Sequence, residues 1–116
     1  MNNPVSKQSA IEVTEQNFGA EVLRCPRPVL VEFWTRWSGP CETLDPVLTE
    51  MATSPSAKAK VVRVNADDCL DLSLLYEIQS VPTLLYFIRG QPRLKIIGAA
   101  SKEAILAKLE PLGLEV

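Results

Sequence analysis

The stretch Trp34-Thr-Arg-Trp-Ser-Gly-Pro-Cys-Glu-Thr-Leu44 decides how the rest of the chain is read. Two thiols separated by two residues can pass a disulfide between them. Here one thiol, Cys41, faces a hydroxyl, Ser38, three residues earlier. Gly39 and Pro40 between them suit a tight entry into a helix, because proline is tolerated in a first helical turn. Just upstream, Pro28-Val-Leu-Val-Glu-Phe-Trp34 is a nearly continuous apolar run, the pattern of a strand buried on both faces. Downstream, Leu44, Val47, Leu48 and Met51 recur at helical spacing, so a helix is predicted from about Gly39 to Thr53. Pro46 lies inside that helix and should kink it.

Working outward, Ala10-Ile-Glu-Val13 reads as a short strand. Thr14 can cap a helix running to Arg24, with Phe18 and Val22 on one face. Residues 54–60 form a surface loop, and Lys60-Val-Val-Arg-Val-Asn65 is a second strong strand. A short helix begins at Asp67-Asp68 and runs to Tyr76, since acidic residues favour a helix N-terminus. Val81-Pro-Thr-Leu-Leu-Tyr-Phe-Ile88 and Arg93–Ile97, joined through Arg-Gly-Gln-Pro92, read as an antiparallel pair. Ser101 can cap a last helix with Ile105, Leu106 and Leu109 turned inward. The order is β-α-β-α-β followed by α-β-β-α. It implies an α/β domain with a mixed five-stranded central sheet flanked by four helices.

The 116 residues suit a single domain over 1–116, with residues 1–8 a flexible lead-in. A 47% hydrophobic and 22% charged composition is that of a globular protein, and a net charge of −2 gives no case for nucleic acid or an anionic membrane. The first ten residues lack a signal-peptide pattern, and no apolar run is long enough to span a bilayer. The expected location is therefore the cytoplasm, where thiols stay reduced. With no histidine in the chain, Ser-His-Asp and Cys-His catalysis are excluded. Cys25, Cys41 and Cys69 are too widely spaced for a local zinc knuckle, so neither a metal site nor a cofactor is expected.

Several of these features resemble the thioredoxin family over residues 10–112. Val-Glu-Phe-Trp34 resembles the family's buried strand with its acidic residue. Trp37-Ser-Gly-Pro-Cys41 resembles the motif Trp-Cys-Gly-Pro-Cys, and Pro46 matches the kink proline. Ser80-Val-Pro-Thr83 resembles the loop whose proline is cis, and Gly98-Ala99 the segment that closes the binding groove. The resemblance implies the thioredoxin fold. It also implies a site in which Ser38 holds the position of the nucleophilic cysteine, Cys41 that of the resolving cysteine, and Glu32 that of the buried acid proposed to move the resolving thiol's proton. It further implies a groove of Trp37, Gly39, Pro40, Val81, Pro82, Gly98 and Ala99 over Trp34, in which backbone beside the proline pairs with an extended substrate.

The chemistry of position 38 qualifies that picture. Disulfide exchange needs an attacking thiolate and a second thiol to resolve the mixed disulfide. An alcohol is far less acidic than a thiol, and nothing here can activate it as histidine would. Ser38 reads better as a helix cap, and Cys41 as a small packed side chain. Glu32 either stays buried with a raised pKa or reaches solvent or a pairing with Lys58 or Lys60. Glu42 reads as a favourable first-turn acid, or as a charge at the groove rim that selects partners. Cys25 and Cys69 read as structural.

Three functions remain open on the sequence. In the first, Ser38 replaces a cysteine of a native protein-disulfide reductase, served by a thioredoxin reductase. In the second, the Ser-x-x-Cys pattern is natural and marks a redox-inactive module that binds client proteins. It is then similar to the thioredoxin domain of bacterial chaperedoxins, which carry an added helical-repeat region. In the third, Cys41 acts alone in mixed-disulfide exchange. In each case the partners are proteins or peptides with disulfides or extended segments.

Overall fold

The computed structural model describes residues 10–55 and 57–114, so the lead-in expected at residues 1–8 lies outside the described residues. Five strands form one sheet: β1 (Ile11–Glu12), β2 (Val29–Trp34), β3 (Lys60–Asn65), β4 (Thr83–Ile88) and β5 (Gln91–Ile97). Their spatial order is β1-β3-β2-β4-β5. β1 and β2 run parallel to β3, while β4 runs antiparallel to both β2 and β5. Three α-helices, α1 (Gly39–Thr53), α2 (Leu70–Leu75) and α3 (Lys102–Leu109), and a π-helical turn at Gly19–Leu23 cover the sheet. A 3-10 turn, Glu110–Leu112, follows α3. This is the mixed five-stranded sheet that the alternation of patterns implies, with three α-helices and the π-helical turn in the places of the four expected helices.

Alternation along β2 divides the core. Val29, Val31 and Phe33 pack with Val62, Val64, Phe18, Val22, Cys69, Leu72 and Phe87 on one face. Leu30 joins Leu44, Leu48, Val61, Tyr86, Ile105 and Leu109 on the other. Successive strand residues point to opposite faces, so Glu32 and Trp34 fall with Leu30 on the face that α1 and α3 cover. On the opposite face, Phe18, Tyr76 and Phe87 meet pairwise with ring centroids 5.4 to 5.9 Å apart.

Four local expectations need correction. The helix predicted over Thr14–Arg24 is only a π-helical turn, closed by Arg24 N–H on Gly19 O at 2.9 Å. Thr14 instead opens a local turn: its N–H donates to Asn17 Oδ1 at 2.7 Å, and its hydroxyl accepts from Gln16 N–H. That arrangement competes with regular helix bonds. The helix expected from Asp67 starts at Leu70, because Asn65 Oδ1 takes the N–H groups of Asp67 and Asp68 in a turn. Glu15 Oε2 then accepts from Asp71 and Leu72 N–H, satisfying the first turn of α2 from outside. β4 begins at Thr83, beyond the proline that has no N–H to give a ladder. β5 begins at Gln91 rather than Arg93, because Arg89 and Gly90, at φ 50° and 80°, close the hairpin in two residues. A Cβ at position 90 would stand 2.8 Å from Leu23 O, so this turn also admits the π-helical segment closely.

Candidate functional site

The strand registers bring the separate motif segments together. β2 ends at Trp34 and leads into Trp37–Cys41. Phe33 faces Thr83 across the antiparallel pair, which puts Val81 and Pro82 at that same end of the sheet. Thr83 in turn faces Ile97, and Gly98 N–H donates to Pro82 O at 2.8 Å. The Val81–Pro82 peptide bond is cis, and Gly98 adopts φ 94°, a conformation open to glycine. Trp37 is 86% exposed at this end. Gly39, Pro40 and Ala99 are also exposed, Val81 and Gly98 half-buried, and Pro82 buried.

Ser38 is the N-cap of α1. Its backbone is extended, at φ −97° and ψ 112°, and its Oγ accepts from Cys41 N–H at 3.1 Å. Its carbonyl accepts the first helical bond, from Glu42 N–H at 3.3 Å. Helix N-termini leave backbone donors unmet, and a serine side chain in extended conformation is well placed to take one. Pro40 sits in the first turn, where its missing N–H costs nothing, and exposed Glu42 opposes the positive end of the helix. α1 continues through Pro46 to Thr53. Cys41 is 2% exposed, one turn inside the cap.

All three cysteines are free thiols. Cys69 belongs to the core beneath α2, and burial, with the nearby Glu15 carboxylate, pushes its thiol up. It is a poor nucleophile for that reason.

Glu32 is fully buried on β2. Its partner is neither Lys58 nor Lys60 but Arg63, which faces it directly across the β2–β3 register; Lys60 pairs with Glu21 instead. Arg63 Nε donates to Glu32 Oε1 at 3.2 Å, while Oε2 is buried without a hydrogen-bond partner. Burial raises the Glu32 carboxyl to about 7; the Arg63 guanidinium opposes that shift, and Asp45 and Glu12 add to it. The same guanidinium reaches Glu12 at 3.2 Å and Asp45 at 3.6 Å and lies over the Trp34 ring at 4.2 Å. Burial also raises Glu12.

Arg63, Glu12 and Asp45 are the residues that sequence reasoning missed. A signal for Arg63 was present. It stands in Val-Val-Arg-Val, two residues from buried Val61 and so on the same inward face. A charged residue there needs a buried partner.

Comparison with known proteins agrees with the geometry. The Thioredoxin family model matches residues 9–111. The chain belongs to the thioredoxin family. It is 39% identical over 103 residues to a thioredoxin of Mycobacterium bovis, covering 89% of each chain. It is 41% identical over 102 residues to thioredoxin 1 of a Nostoc species, covering 88% of this chain and 95% of that one. It is also 39% identical over 99 residues to a bifunctional thioredoxin reductase/thioredoxin of Mycobacterium leprae, covering 85% of this chain and 22% of that one. The scaffold is thus that of thioredoxin-family oxidoreductases, which act on protein substrates and are served by thioredoxin reductase.

Proposed function

We propose that this protein is a Ser-x-x-Cys thioredoxin-family member that binds extended polypeptide segments and does not turn over disulfides. The observation that carries the reading is the bond from Cys41 N–H to Ser38 Oγ. Position 38 is occupied by a working helix cap, and the thiol behind it is almost wholly buried. Exchange requires a thiolate at the surface and a second thiol to finish the reaction. With one of the two replaced, a reductase would find no local disulfide here to reduce.

Binding is a different matter. Trp37 offers an exposed indole, and Val81 stands outside the ladder that starts at Thr83. Such backbone can accept an added extended strand, with affinity from main-chain hydrogen bonds and selectivity from side-chain recesses. The partners of this reading are unfolded or extended polypeptides. Its location is the cytoplasm, a reading supported by three unpaired thiols.

The test pairs two measurements on the same preparation. Reduction of insulin disulfides by dithiothreitol should show no catalysed turnover, while a reduced, unfolded polypeptide should bind saturably. Turnover like that of a dithiol thioredoxin would make Cys41 or another thiol the nucleophile and overturn the reading.

A further inference from the structure

We propose that the end of the sheet opposite the groove is a docking surface for a short acidic segment of a partner protein, received by Arg24, Arg27 and Arg89. This surface shares no residue with the groove and stands whether or not the groove binds extended chains.

Three connections meet at this end. β2 begins at Val29, which faces both Lys60, the first residue of β3, and Phe87, near the end of β4. The chain before Val29, the loop before Lys60 and the β4–β5 turn are therefore neighbours. Single contacts show how close they come. Arg27 Nε donates to Lys58 O at 3.4 Å, and the turn at Gly90 lies against Leu23 O. Residues 24–28, 54–60 and 88–91 include no aspartate or glutamate, while Arg24, Arg27, Lys58 and Arg89 among them are exposed. The nearest acid before them in the chain, Glu21, is taken by Lys60. Arg24, Arg27 and Arg89 make no ion pair among the described residues.

An exposed arginine ordinarily swings freely, and ordering it costs side-chain entropy on binding. Here each of the three is partly held. Arg24 folds back along the π-helical turn, where a Cβ at position 19 would stand 3.0 Å from its Nη1; the bare glycine leaves it that place. Arg27 is tethered through Nε, not through the terminal nitrogens that complete a fork onto a carboxylate. Arg89 rides on a turn with φ 50° whose next residue is packed against Leu23 O, so the backbone beneath it is fixed.

Charge specifies the occupant. The groove end carries Glu42, Asp67, Asp68 and Asp71, all exposed. The six residues of β2 set the two ends about 20 Å apart, more than two Debye lengths at physiological ionic strength. The net charge of −2 therefore does not cancel the positive field over the three loops. Guanidinium groups match carboxylates bidentately, and a few acidic side chains in one short segment suffice to meet three of them. A nucleic acid or an anionic bilayer draws its affinity from many phosphate contacts, more than these loops supply, and would also meet the acidic remainder of the surface.

The experiment is an NMR titration of the isotope-labelled protein with Ser/Gly peptides of about ten residues, the length of a strand with its flanks. One carries Glu at alternate positions, and the other has Gln in place of every Glu. The Glu peptide should shift amides of residues 24–28, 57–60 and 88–91 saturably, with weaker binding in high salt, and the Gln peptide should shift none. Arg27→Gln and Arg89→Gln should each weaken binding about threefold, and together about tenfold. Arg36→Gln removes the same charge from an exposed site at the groove end and should leave affinity unchanged. All three substituted residues are exposed, so the variants should keep the parent's unfolding curve. The proposal is overturned if no shifts saturate, if the Gln peptide binds equally, or if the Glu peptide shifts Trp37 and Val81 instead. It is also overturned if the Arg27 and Arg89 variants bind as the parent does, or if Arg36→Gln costs as much as they do. Tighter binding of a single-stranded oligonucleotide of equal charge, or of vesicles containing phosphatidylserine, would assign the surface to a polyanion and overturn it. Shifts of these loops that grow with protein concentration in the absence of peptide would assign it to the acidic end of a second copy, with the same consequence.

Discussion

Glu32 and Arg63 are direct cross-strand partners on β2 and β3, joined at 3.2 Å through one carboxylate oxygen while the other lies buried and unmet. The guanidinium offsets part of the cost of burying the acid but leaves its pKa at about 7. The pair therefore holds a proton close to neutrality, in a place where the protein has no histidine to do so.

Stability should fall with rising pH because of this group. The unfolded carboxyl titrates near 4.5 and the folded one at about 7, so the folded state keeps a proton that the unfolded chain has already lost. The contribution is fully present below the unfolded value and is lost as pH rises through the folded one. Glu32→Gln should flatten the slope over this window and, above it, be more stable than the parent by about 3 kcal/mol. Urea unfolding from about pH 5 to about pH 8.5 checks this; an unchanged slope in the variant would place the proton elsewhere.

Arg63→Met should be pH-selective in its damage. Above neutrality it leaves a buried, ionised Glu32 with no countercharge, costing about 3–5 kcal/mol. Near pH 5 Glu32 is protonated, and the loss should be much smaller. Glu12 and Asp45 also lose a partner, but both are partly solvated and contribute little. Equal destabilisation at both pH values would show that Arg63 acts by packing on Trp34.

Removing the cap tests the structural role of position 38. Ser38→Ala should lower stability by about 1 kcal/mol, because Cys41 N–H loses its acceptor. Ser38→Asp restores an acceptor and adds a negative charge at the helix N-terminus, so it should match or exceed the parent. Thermal unfolding of the three proteins decides it, and a fully stable Ser38→Ala would make the cap dispensable.

Ser38→Cys should supply the missing chemistry. A thiol at a helix N-terminus is biased toward thiolate, and Cys41 lies three residues on to resolve a mixed disulfide. The variant should join its new thiol to Cys41 in a disulfide and reduce insulin catalytically with dithiothreitol. If the disulfide forms but turnover does not, the surroundings are specialised for binding, with Glu32 and Glu42 the first residues to exchange.

The sequence was most legible where one physical signal dominated. Continuous apolar runs defined β2 and β3, and helical spacing with a serine cap defined α1 from Gly39 to Thr53. It misled where short polar side chains captured the backbone. Asn17 and Thr14 form a turn that periodicity from Phe18 to Val22 cannot reveal, and Asn65 delays α2 in the same way. The partner of Glu32 was beyond reach for another reason. Arg63 lies 31 residues away, and only the β2–β3 register makes them neighbours. Asp45 and Glu12 join the cluster by helix packing and by an edge strand, relations that no local window contains.

The outer strands of the sheet bear on self-assembly. β1 has two residues, and β5 carries Pro92, Arg93 and Lys95 along its exposed length. Short edges, proline and cationic side chains all hinder a foreign strand from docking along a sheet margin. If backbone is offered to extended chains at Val81, as proposed above, little is offered at the margins of the sheet. On the proposed reading, capture of extended polypeptide is confined to the Val81 end of the sheet, while the blunted margins disfavour edge-to-edge pairing between copies of the protein.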